Sequence, residues 1–401
     1  MFFGFSALYS FIIIIGIFVV SYWLLPKKFS WLSFLITTYL LAVLAFRFEP
    51  NIDDDLSRYF STLDYLRNGG KAALDHAIEM HWNSWHIYRV CGWYFYGISK
   101  LSNNHYLPAI TIFIVYGLMF MIIHRLSKHY NASKFDTFLG SMFFISTYWY
   151  YDLASGIRNG LAFAVVFACA YFHLLERRGI PFCIVGYVLA CLTHSAAIMP
   201  VVLVIVTAVT LNNSGKFMNF LLVFGIIGGG AGIQFLSNVF PNSDFMQSIA
   251  GRAERNAIED TLYTDTLYLT NIATVAVCAV IFFYFSYYII NRVLTADFKF
   301  YYKYLSILMY FVVGSVYTSL IFMRFARWIV PIIGAIIIIV GRTAQEDEIS
   351  DKGEAFLKYY APINARARFF LKPVVLAVTV AYIGVHFWYL CAGSSLNWIH
   401  F

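Results

Sequence analysis

The chain has 401 residues, 61% of them hydrophobic and 12% charged, with a mean hydropathy of +0.70 and a formal net charge of +7. A soluble domain of this length carries roughly a quarter charged residues, so the composition excludes one and predicts an all-α polytopic membrane protein. The six cysteines, Cys91, Cys169, Cys183, Cys191, Cys278 and Cys391, lie in or beside apolar segments without CxxC pairing and read as small core residues, not as disulfides or metal ligands.

The first apolar run, "FIIIIGIFVVSYWLL" (11–25), lacks a basic leading segment and a small-residue cleavage site, so it is read as a retained span. Further spans are predicted near 29–46, 105–123, 137–151, 157–175, 180–195, 196–211, 217–235, 266–290, 304–322, 328–341 and 373–392, giving about twelve in a single transmembrane domain over 1–401. The stretch 180–211 as one helix would run about 48 Å, too long for a hydrocarbon core of about 30 Å, and is therefore split in two. Three connectors are long: 47–104, 236–265 and 342–372. Within the first, helical periodicity at 56–67 and 84–99, separated by "NGG" (68–70) and rich in Trp and Tyr, predicts amphipathic helices on the membrane surface. The connector 342–372, with "QEDEISDKGE", reads as a solvated linker.

With twelve spans, one set of alternating connectors ("PKK", "HRLSKHYNASK", "ERRG", "NNSGK", "NRVLTADFKFYYK" and 342–372) holds 17 of the 28 Lys and Arg, leaving 11 for the other side. The positive-inside rule assigns that set to the cytoplasm, with both termini and the loops 47–104 and 236–265 outside. The basic balance is thereby explained as membrane anchoring, and nucleic acid is not an expected partner.

Arg158, in "SGIRNG", is then the exception. It stands at the outer end of its helix, away from the anchoring face, where it either snorkels to headgroups or binds an anion at the head of a cavity. His194, in "LTHSAA", reaches the same depth. Arg324 and Arg327, in "FMRFARW", share a helix face at spacing i, i+3 and sit at another outer end. The acidic run "IDDDLSRYF" (52–60) caps a helix or supplies a carboxylate base, with Arg58 adjacent to Asp55 and Tyr59 one turn from it. Arg252 and Arg255, in "GRAERNAIED", add a weaker signal in the second long loop. No P-loop, GxGxxG before a helix, HExxH, GxSxG or Cys/His metal set occurs, and "GIIGGGAGIQF" (225–235) suits close helix packing inside a span. Neither a metal nor a cofactor is expected. Guanidiniums suit phosphates because they donate in pairs and stay charged, and a lipid-linked pyrophosphate sugar presents its phosphates at this depth.

Three stretches resemble the EpsG-like branch of Wzy-type bacterial polysaccharide polymerases, over most of the chain. They are a D-x-x-x-Y element after the second span (Asp55 to Tyr59), "SGIRNGLAFAV" (155–165), and "LACLTHSAAIMPVVL" (189–203), which fits L-A-x-x-x-H-x-S/A-A. The Gly-Thr usual before the aspartate is replaced by Asp53-Asp54, so Asp53, Asp54, Asp55 and His194 all stand as candidates for the base. The resemblance implies a GT-C-like helical fold and an enzyme of the cytoplasmic membrane whose active site faces outward. It implies that undecaprenyl-pyrophosphate-linked oligosaccharide repeat units are joined there into a surface polysaccharide, such as an O-antigen or exopolysaccharide. A chain-length regulator and a flippase are candidate partners. By resemblance, Asp55, Arg158 and His194 are catalytic. Arg58, Tyr59, Arg324, Arg327, Arg252 and Arg255 are assigned to substrate binding from side and depth. The competing readings are a transferase adding single sugars from polyprenyl-phosphate donors, a membrane O-acyltransferase, and a transporter of lipid-linked glycans.

Overall fold

The computed structural model describes residues 7–50, 55–209, 272–273, 275–280, 282, 296–315, 319–343, 375–377, 379–381 and 383–384. Among these residues the regular structure is helical throughout. The helices are α1 (Ala7–Leu24), α2 (Ser30–Phe46), α3 (Asp55–Glu79), α4 (Arg89–Ser99), α5 (Tyr106–His129) and α6 (Lys134–Thr147). They continue with α7 (Tyr150–Ser155), α8 (Ile157–Ala170, prolonged by a π-helical turn over Tyr171–Glu176), α9 (Ile180–Cys191), α10 (Ile198–Val209), α11 (Ala296–Gly314) and α12 (Ser319–Thr343).

Among the described residues, four stretches are long and apolar enough to cross a bilayer: Lys27–Phe46, Tyr106–His129, Ile157–Glu176 and Phe322–Val340. Shorter apolar helices occupy Tyr9–Leu24, Ile180–Cys191 and Ser195–Ala208. The chain is a polytopic helical membrane protein. The spans expected near 217–235, and most of 266–290 and 373–392, lie outside the described residues, as do the loop 236–265 and nearly all of 342–372.

Aromatic packing builds the core near the N-terminus. Phe18 of α1 stacks on Phe34 of α2, Phe120 of α5 and Phe138 of α6, with ring centroids 5.9, 6.3 and 6.0 Å apart. Elsewhere small residues bring helices together. A Cβ on Gly140 of α6 would lie 2.8 Å from Ile339 and 3.1 Å from the carbonyl oxygen of Ala335, and one on Gly334 of α12 would collide with the Phe143 ring. In a bilayer, where no hydrophobic force separates helix from lipid, such close approach supplies the packing energy. Gly334→Leu is therefore expected to destabilise by about 1–3 kcal/mol, as overpacked cores do. Thermal unfolding of the detergent-solubilised protein reads this as a lowered midpoint, and an unchanged midpoint would mean that α6 and α12 are not in contact there.

The surface layer differs from its expected form at one point. The chain does not stop at "NGG". Gly70 takes φ 59° and ψ −141°, a conformation open to glycine and strained for other residues, and α3 bends there and runs on to Glu79. The second surface helix accordingly begins at Arg89, not at 84. On α3 the buried stripe Leu56, Tyr59, Leu63 and Leu66, followed by Ala73, Leu74 and Ala77, keeps helical spacing and faces α4, whose buried side carries Cys91, Phe95 and Ile98. Arg67 ties the layer to the bundle: it pairs with Asp64 at 2.7 Å, Asn104 at 2.6 Å and the Leu101 carbonyl at 3.3 Å.

A second difference concerns the last two described helices. α11 ends at Gly314 and α12 runs unbroken from Ser319 to Thr343, so no break falls at 323–327. Arg324 and Arg327 thus lie in the second and third turns of α12 and not at a loop. The break within 180–211 is where the length argument requires it, and it leaves His194 in the turn between α9 and α10, beyond the end of the helix.

Candidate functional site

Five separate stretches converge at the end of the bundle beneath α3. They form a cleft of about 270 Å3, lined by Asp55, Arg58 and Tyr59 of α3, Asn83 of the turn before α4, and Gly156, Arg158 and Asn159 at the start of α8. His194 and Arg324 complete it. The helix order explains the convergence. α8 runs away from the cleft, Gly179 (φ 61°) reverses the chain, and α9 packs along α8 and brings His194 back to the level of Arg158.

Arg158 is half-buried and held from two sides. Its Nε donates to the Tyr59 hydroxyl at 3.0 Å, and one terminal nitrogen donates to the Asn83 carbonyl at 3.3 Å. The guanidinium also lies 5.5 Å from the centre of the Tyr59 ring. Two of its five N–H groups are thereby used, which fixes the plane of the fork and leaves the others for a ligand. Tyr59 is buried and stacks edge-on against Phe95 at 5.0 Å. Burial pushes its phenol up to about 12 against the pull of the Arg158 guanidinium, so it stays neutral at physiological pH and serves as an acceptor for Arg158. Cys91 beside it is likewise pushed up to about 11 by burial and remains a thiol.

The turn that supplies the Asn83 carbonyl is unusual. His81, Asn83 and Ser84 all have positive φ (57°, 49° and 58°), a left-handed region that costs residues with a Cβ. The rings of His81 and His86 stack across this turn, 3.9 Å apart. Strain of this kind persists where surrounding packing over-determines it, and here its product is a backbone carbonyl aimed at Arg158.

His194 is buried and stacks 6.2 Å from Tyr88. Its Nδ1 accepts a hydrogen bond from the Ala196 backbone N–H at 3.1 Å, capping the turn Ser195–Ala197. In the neutral ring that bond leaves the proton on Nε2, so the imidazole is held as a hydrogen-bond donor. At the mouth, Asp55 and Arg58 form an ion pair one turn apart, with both side chains well exposed.

Arg324 lines the cleft, but Arg327 does not. The three-residue offset turns Arg327 onto Asp152 of α7, with 2.5 Å between its terminal nitrogen and the carboxylate, and its guanidinium lies 5.7 Å from the Trp149 ring. Arg252 and Arg255 lie outside the described residues, as do Asp53 and Asp54. Sequence reasoning did not find Asn83, Gly156 or Asn159. The first two enter through backbone geometry, and the signal for Asn159 was only its adjacency to Arg158.

The fold and this cleft define a polytopic helical membrane protein with a strongly cationic cleft at one end. The chain belongs to the EpsG family, whose sequence profile matches residues 30–349, and is with it a polysaccharide polymerase-type membrane protein. No curated protein sequence and no solved structure matches it.

Proposed function

We propose that the protein joins undecaprenyl-pyrophosphate-linked oligosaccharide repeat units into a bacterial surface polysaccharide at the outer face of the cytoplasmic membrane. The observation that carries this reading is the gathering of Asp55, Arg58, Tyr59, Arg158, His194 and Arg324 in one cleft at the end of an apolar bundle. The surplus of Lys and Arg in the connectors of the opposite end supports an outward-facing cleft.

In this reading the growing glycan on its lipid pyrophosphate is the donor, and a new lipid-linked repeat unit is the acceptor. Arg158 and Arg324 hold the pyrophosphate, aided by the first turn of α8, where Gly156, Arg158 and Asn159 line the cleft and the helix dipole favours negative charge. An acceptor hydroxyl attacks the anomeric carbon, its proton passes to the Asp55 carboxylate, and the bond from that carbon to the phosphate oxygen breaks. The leaving pyrophosphate takes the electron pair, and its growing charge is met by the two guanidiniums. His194, with its proton on Nε2, donates to an oxygen of the donor and does not act as the base. Arg58 pairs with Asp55 and faces the acceptor. The reading uses no nucleotide sugar and routes no step through a metal.

The purified protein in detergent, given a synthetic undecaprenyl-pyrophosphate oligosaccharide and no nucleotide sugar, should produce a ladder on a gel with steps of one repeat unit. Growth by single sugars from a polyprenyl-phosphate donor would replace this reading with that of a monosaccharide transferase.

A further inference from the structure

Asp152 and Arg327 stand just outside the cleft, yet they join the two elements that carry its arginines. Asp152 lies on α7, a helix of six residues that leads directly into Gly156 and Arg158. Its carbonyl accepts from the Gly156 N–H at 2.6 Å, and a Cβ on Gly156 would come within 2.7 Å of that same carbonyl oxygen. The corner is therefore tight, and a displacement of Asp152 is passed on to Arg158. Arg327 lies one turn beyond Arg324 on α12. Both members of the pair are largely shielded, at 14% and 13% side-chain exposure, where a charge left unpaired is costly. The neighbouring Trp328 packs on the same corner, 5.4 Å from Tyr148 and close to Gly160.

We propose that Asp152 and Arg327 are positioning residues that set the separation of Arg158 and Arg324, and thereby build a clamp matched to the two phosphates of a pyrophosphate. The pair links the start of α8 to α12 through one charge-assisted contact. It has a second effect on charge. Arg158, Arg324 and Arg327 would otherwise crowd three cations at one depth, and Asp152 neutralises the one that does not face the cleft. With Arg58 paired to Asp55, the bundle contributes two guanidiniums to the cleft, one from α8 and one from α12, each able to take a phosphate group.

This inference rests on the reading of the cleft as a pyrophosphate site, and the test separates the two. Full-length protein in detergent is titrated with farnesyl pyrophosphate as a probe, and thermal unfolding is followed on the same samples. The wild type should bind, and Asp152→Asn should weaken binding by about tenfold per folded molecule, since misplacing a binding group by about 1 Å has effects of this order or larger. The swapped pair, Asp152→Arg with Arg327→Asp, should recover affinity to within about threefold, because an ion pair again spans α7 and α12. Unchanged affinity in Asp152→Asn, or a loss that disappears when corrected for the folded fraction, would overturn the positioning role while leaving the cleft's function standing. Failure of the wild type to bind the probe would overturn the pyrophosphate reading itself, and the clamp with it.

Discussion

Replacing Arg158 by lysine should abolish chain extension even though the charge is kept. A lysine carries a single ammonium on a flexible stem. It can reach the Tyr59 hydroxyl, the Asn83 carbonyl or an incoming phosphate, but not all three in fixed directions. The arginine spends two N–H groups on those anchors and presents the rest in a set plane. Removing one preorganised donor at a site of developing charge typically costs about 10²- to 10³-fold in rate, and both Arg158→Lys and Arg158→Ala should fall at least that far. The measurement is ladder formation per molecule of folded protein, with abundance checked by immunoblot of the membrane fraction. Long-chain product from Arg158→Ala at wild-type abundance would remove Arg158 from the mechanism.

Asp55→Asn should be nearly as severe for a different reason. Asparagine has the same shape and still accepts a hydrogen bond from Arg58, so α3 keeps its first turn, but the amide cannot take a proton. Loss of a general base costs about 10²- to 10⁴-fold, and donor affinity, which depends on the arginines, should stay near the wild-type value. A drop in kcat with an unchanged donor KM is the expected signature. If Asp55→Asn polymerises normally while Asp53→Asn or Asp54→Asn does not, the base belongs to one of the two preceding aspartates.

Much of the site was legible because charge is rare in this chain. Arg158, His194 and Arg324 could be placed at one depth from span lengths and connector charges, and Asp55 and Tyr59 follow directly from the end of the second span. Their convergence in one cleft needed the fold: periodicity gives the depth of a residue, never the helix it will face. Arg327 illustrates the limit. Its spacing from Arg324 puts the two on one face of an isolated helix, but Asp152, just past the span expected at 137–151, draws it aside. The break assigned at "FMRFARW" was misplaced for a related reason. Arginines suggest water when the surroundings are lipid, whereas here protein surrounds them. The "NGG" stop was misjudged because a glycine with positive φ can restart a helix as readily as end one.

The turn at His194 also bears on the bilayer. α9 and α10 have 12 residues each, about 18 Å of helix set against a hydrocarbon core of about 30 Å. α5, with 24 residues, is long enough to span that core in full. Phe182, Ile184, Val185, Val188 and Leu189 of α9 are exposed, so the short helices form part of the lipid-facing perimeter. The resulting hydrophobic mismatch favours thinning or dipping of the lipid along the α9–α10 flank. In such a depression lipid headgroups sit nearer the level of His194 and Arg158, and the lipid-linked substrate proposed above would reach the cleft by lateral diffusion, without being lifted from the membrane.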